Sequence, residues 1–60
     1  MSKRAVDITF QALYTLTDIR AIFRETAPQH MLDDQQRAQA ERLLENLERQ
    51  VTSLRQEILK

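Results

Sequence analysis

Side chains able to do covalent or acid–base chemistry are scarce in this sequence. The 60-residue chain has no cysteine and a single histidine, His30, and its serines are Ser2 and Ser53. A catalytic nucleophile needs a base within hydrogen-bond reach and a third group that orients the base. Asp7, Asp18 and Glu25 share one strip of a helix, but spacings of 11 and 7 residues set them whole turns apart. That separation builds neither a carboxylate dyad nor a metal triad. A structural zinc site needs several Cys or His ligands. A phosphate-cradling loop needs glycine, of which there is none. The sequence therefore assigns no catalytic residue, no metal ligand, no cofactor and no small-molecule substrate, and the chain reads as a non-enzyme.

What remains is charge and shape. Arg20 and Arg24 are i,i+4 neighbours on a helix, and His30 and Arg37 fall near them at the loop end of a hairpin. Doubled in a dimer, this set suits phosphates or an RNA loop. Glu25, Asp33 and Asp34 lie at the same end and cancel much of the field, so rim charges or salt-bridge partners are the plainer reading. His30 is, most simply, an exposed turn residue. Nine Lys and Arg balance nine Asp and Glu. Zero net charge argues against a polycation that coats nucleic acid or an anionic membrane without specificity.

Helices must position these groups. No glycine interrupts the chain, and the one proline is Pro28. Pro28 cannot donate a backbone hydrogen bond and pushes Ala27 away from helical angles. Asp33 is suited to N-cap a second helix, with Gln36 at the N3 position of a capping box. The expected fold is a single all-α domain, a two-helix antiparallel hairpin, with helix 1 at about 4–26, a loop at 27–32 and helix 2 at about 33–59.

The apolar residues of the two helices differ in extent. On helix 2, Ala40, Leu44, Leu47, Val51, Leu54 and Ile58 repeat at spacings of four and three, a heptad seam with Leu43 at its edge. Helix 1 carries two seams. The first is Ala5, Ile8, Ala12, Leu16, Ile19 and Phe23, with Ile22 beside it. The second is Val6, Phe10, Leu13, Thr17 and Ala21, flanked by Tyr14. One stripe of helix 2 covers one seam, so the first is expected to form the intrachain core, with Leu16 near Leu43, Ile8 near Val51 and Ile19 near Ala40. Leaving the second seam in water forfeits roughly 1.5–3 kcal/mol per large side chain. A chain this short buries only about 60% of its unfolded surface, and without disulfides or metal it leans on another chain. The expectation is a homodimer, helix 1 against helix 1, forming a four-helix bundle.

No apolar run is long enough for a membrane span, and Asp7, Gln11, Asp18 and Arg20 interrupt every candidate signal-peptide core. The polar strip of helix 1 is acidic, unlike that of a membrane-surface helix. The expected location is cytoplasmic. Starting at Met1 and lacking a linker or tail, the chain reads as a free-standing product.

Two antiparallel helices of this length resemble the layout of the Rop family of plasmid copy-control proteins, dimeric four-helix bundles that bind paired RNA loops. The resemblance is one of layout, and no site is carried over from it. In size and layout the chain is also similar to small phage- and plasmid-encoded helical regulators that bind and disable a host protein. Tyr14, Arg20 and Arg24 are residue types that dominate interface energetics, and with His30 and Arg37 they are the candidates for partner binding. The expected function is a regulator or inhibitor that occludes a host regulator or ATPase. The alternatives are an RNA-binding regulator of the Rop type and an assembly chaperone that shields an apolar helix.

Overall fold

A computed structural model describes residues 2–29 and 31–59; the candidate His30 lies outside them. Helix α1 spans Lys3–Glu25 and helix α2 spans Asp34–Ile58, with no strand among the described residues. They form an antiparallel hairpin. Arg4 Nε meets Glu57 Oε1 at 3.2 Å at the open end. Gln36 Nε2 donates to Glu25 Oε2 at 3.4 Å beside the loop.

The helix ends follow from local chemistry. Ser2 is extended, and its Oγ accepts from the Ala5 N–H at 3.1 Å. Thr26 closes α1, its hydroxyl donating to the Phe23 carbonyl at 2.8 Å and its N–H to the same oxygen at 3.2 Å. At α2, Asp33 accepts from the Gln36 N–H at 2.7 Å, and Gln36 Oε1 accepts from the Asp33 N–H at 3.0 Å. These reciprocal bonds satisfy two donors that a helix start otherwise leaves open. Asp33→Ala is expected to lower stability by about 1 kcal/mol, read as a reduced urea midpoint with an unchanged slope.

The seam between the helices departs from expectation. On α1 it is Ala5, Ile8, Ala12, Thr15, Ile19 and Ile22, all buried or half-buried. On α2 it is Gln36, Ala40, Leu43, Leu47, Gln50, Leu54 and Glu57, all half-buried. Ile8, Ala12, Ile19, Ala40, Leu47 and Leu54 thus lie where expected. Leu16, Phe23, Leu44, Val51 and Ile58 do not: each is 47–53% exposed, and Thr15, Ile22, Leu43, Gln50 and Glu57 take their places. The expected pairings shift accordingly, and Ile8 shares a groove with Gln50 and Ser53.

Small and polar residues explain the rotation. Ala5, Ala12, Thr15 and Ala40 let the backbones approach, whereas Leu16 and Phe23 in the seam would hold them apart. Thr15 is 5% exposed. Its hydroxyl lies 2.9 Å from Gln50 Oε1 and 3.1 Å from the Gln11 carbonyl, so the polar pair at mid-seam is hydrogen-bonded and its burial carries little penalty.

Candidate protein-binding surfaces

The rotation makes the two sides of the hairpin unlike. In an antiparallel pair, residues displaced in the same rotational sense from the two seams lie on the same side. Leu16 and Phe23 each follow a seam residue of α1 by one position. Leu44, Val51 and Ile58 each follow a seam residue of α2 by one position. These five exposed apolar side chains therefore lie on one side of the hairpin, together with Val6, Thr9, Leu13 and Arg20 of α1 and Arg37, Glu41, Glu48 and Arg55 of α2, which follow seam residues in the same way. The residues that precede seam positions make the opposite side: Arg4, Asp7, Gln11, Tyr14, Asp18 and Ala21 on α1, with Glu25 in the row of Gln11 and Asp18, and Gln35, Gln39, Arg42, Asn46, Arg49, Ser53 and Gln56 on α2. That side is polar, and the Arg4–Glu57 ion pair lies on it.

The exposed area is large for the mass. The chain presents 5044 Å² to solvent, whereas a compact folded 7.1 kDa monomer presents about 4,100 Å². The surplus is comparable to the roughly 800 Å² that one partner contributes to a standard interface. Shape agrees. The hairpin is a slab of 42 × 15 × 12 Å with a radius of gyration of 13.8 Å. Compact bodies of this chain length have about 10 Å, and those of twice the length about 14 Å. Three apolar side chains are buried among the described residues, Ala5, Ile8 and Ile22, which is a small core for a chain standing alone.

A second apolar strip on α1 adjoins Leu16 and Phe23 through Val6, Leu13 and Arg20 and runs round to the side turned away from α2. Lys3, Val6, Phe10, Leu13, Thr17, Arg20 and Arg24 recur there at alternating spacings of three and four, with Ala21 beside them. All are exposed, Phe10 at 54% and Leu13 at 51%. The expected strip of Val6, Phe10, Leu13, Thr17 and Ala21 is thus open to solvent in the single chain. Thr17 turns its hydroxyl back onto the Leu13 carbonyl at 2.9 Å, so its methyl group faces outward with its polar atom satisfied. Thr17, Arg20, Ala21 and Arg24 line a shallow depression of about 80 Å³. Tyr14 is exposed at the strip's edge. Arg37 is exposed on the first turns of α2, at the same end of the hairpin as Arg24.

A concavity of about 530 Å³ is lined by Glu45, Glu48, Arg49, Thr52, Ser53 and Gln56, all on α2. With no second element facing them, these residues make open surface and not a pocket that holds reacting groups. Among the described residues no three His, Asp or Glu side chains gather as a metal site. No helix there is long and apolar enough to cross a membrane.

Residues that reading for apolar spacing passed over are Thr15 and Gln50. The signal was present: 5, 8, 12, 15, 19 and 22 keep an unbroken three–four alternation on α1, as do 36, 40, 43, 47, 50, 54 and 57 on α2. Counting only apolar types replaced Thr15 by Leu16, and Leu43 and Gln50 by Leu44 and Val51. Comparison of the chain with protein families, with curated proteins and with solved structures gives no match.

Proposed function

We propose that this chain is a non-enzymatic, protein-binding regulator that works as a homodimeric four-helix bundle. A second copy covers the face formed by Leu16, Phe23, Leu44, Val51 and Ile58. The observation that carries this reading is that exposed apolar side chains of both helices lie on the same side of the hairpin. A face shared by two helices suits another two-helix layer, and a twofold axis lets one surface serve both copies. Charged residues interleaved with these apolar side chains carry both signs, Arg37, Glu41, Glu48 and Arg55 on α2, so a second copy meets no uniform repulsion. The sequence assigned self-pairing to Val6, Phe10 and Leu13. The rotation of the seam turns Leu16, Phe23, Leu44, Val51 and Ile58 outward, a set drawn from both helices, and these take the self-pairing role on this reading.

On this reading the bundle acts by occlusion, its helical surface masking a working surface of a partner protein. Sedimentation equilibrium tests the assembly. The expected mass is twice the 7.1 kDa of the chain, with dissociation and loss of helical signal coinciding on dilution. A compact, fully helical single chain at micromolar concentration overturns the dimer. Capture with tagged protein from the native cell, after nuclease treatment, tests the binding role. One stoichiometric protein is expected, and recovery of RNA alone from an untreated extract overturns it.

A further inference from the structure

We infer that the outer strip of α1 docks an amphipathic helix of a partner protein, one that carries carboxylates at the end lying over Arg20 and Arg24. The inference rests on the protein-binding reading above and names its partner's chemistry.

Three observations support it. First, the strip is a heptad seam. Lys3, Val6, Phe10, Leu13, Thr17, Arg20 and Arg24 keep alternating spacings of three and four along α1, which is the pattern that meets another helix side by side. Second, its charges are of one sign. Every ionisable residue in the strip is cationic, with Arg20 and Arg24 together at the loop end. Asp18 and Glu25 lie on the polar side, and Asp7, in the helical row of Tyr14 and Ala21, borders the strip at the open end, away from the two arginines. Among the described residues neither arginine has a carboxylate within 4.0 Å. Third, apolar and charged parts are segregated. Val6, Phe10 and Leu13 occupy the half toward the open end, and the depression lined by Thr17, Arg20, Ala21 and Arg24 occupies the other. Ala21 keeps that depression open, and its arginines are suited to accept a carboxylate by paired N–H donation.

A second copy of this chain matches these charges less well. In a parallel α1–α1 pairing Arg20 and Arg24 face their own counterparts. In an antiparallel one they face Lys3, Val6 and Asp7, so two arginines meet one carboxylate beside another cation. A complementary partner brings apolar residues for Val6, Phe10 and Leu13 and acidic ones for the arginines. An RNA loop satisfies the arginines but leaves Phe10 and Leu13 uncovered, so a helix fits more of the strip.

The test is a display selection of randomised helical peptides against the full-length protein, with anisotropy measurements on the peptides recovered. Enriched peptides are expected to carry apolar residues at heptad spacing and Asp or Glu clustered at one end. Phe10→Ser is expected to weaken their binding about tenfold or more, and so is Arg20→Glu combined with Arg24→Glu. The same double reversal is expected to redirect selection to peptides with Lys or Arg at that end. Both positions are exposed arginines, so this variant keeps the test sharp should Phe10→Ser lose its fold. No enrichment, enrichment without acidic bias, or binding indifferent to the charge reversal overturns the inference. So does a labelled RNA stem-loop that binds through Arg20 and Arg24 where the acidic peptides do not. Mass is measured first on the wild type, which judges the dimer separately. A mass halved by Phe10→Ser makes the strip the self-association surface and overturns the inference as well.

Discussion

Val51→Glu is expected to convert the protein from a helical dimer into a monomer with little helix. Val51 is half-exposed in the single chain, so the hairpin alone tolerates a glutamate there with little strain. At the centre of a bundle the same carboxylate is buried without a partner, and burying an unpaired charge costs several kcal/mol in practice. Twofold symmetry places two such charges close together. The loss exceeds what a chain with three buried apolar side chains has in reserve. Sedimentation equilibrium and far-ultraviolet circular dichroism on one concentration series measure both outcomes. Arg49→Glu, on the polar side of α2, serves as the matched control and is expected to leave mass and helicity unchanged. A Val51→Glu protein with wild-type mass and helicity would show that the shared face is not the interface.

Ile22→Ala has the next largest effect. Ile22 is 2% exposed, the most buried large side chain of the seam. Truncating a buried isoleucine costs about 2–5 kcal/mol, combining lost transfer energy with the cavity left behind. That range approaches the whole stability of a small domain. Because Ile22 packs within the hairpin, its loss acts on every chain whether or not it is paired. Leu16→Ala gives the contrast. In the isolated hairpin Leu16 has already left about half its surface in water, so its removal forfeits about 1 kcal/mol there. In the dimer the cost rises, because the second copy covers the rest. Urea unfolding at several chain concentrations separates the two. The Ile22→Ala deficit is expected to stay constant, while the Leu16→Ala deficit tracks dimer population. Equal concentration dependence for both variants would mean that Ile22, too, is buried by the second copy.

These contrasts depend on a rotation of roughly half a residue's turn about each helix axis, and it matters for function. If Leu16, Phe23, Leu44, Val51 and Ile58 filled the intrachain seam, the remaining apolar surface would lie on α1 alone, and self-pairing and partner binding would compete for Val6, Phe10 and Leu13. With the seam made of Ala5, Ala12, Thr15, Ala40 and Gln50, exposed apolar residues are left on both helices. Leu16, Phe23, Leu44, Val51 and Ile58 share one side of the hairpin. The strip along α1 adjoins them through Val6 and Leu13 and ends in two arginines of one sign.

The sequence by itself determined the elements and their direction. Pro28 ends one helix, Asp33 and Gln36 start the next, and an unbroken run of helix formers without glycine leaves a hairpin as the only compact path. It also marked the strip of Val6, Phe10, Leu13, Thr17 and Ala21 as surface that α2 does not cover, since one helix covers only one stripe of another. Tertiary structure decided which stripe that is. Hydrophobicity ranks Leu16 above Thr15 and Val51 above Gln50, but close packing of two helices depends on how near their backbones come. Small side chains permit that approach, and a hydrogen bond between Thr15 and Gln50 removes the penalty of placing polar atoms there. Such a bond exists only once both helices are side by side, and so no single-helix pattern contains it.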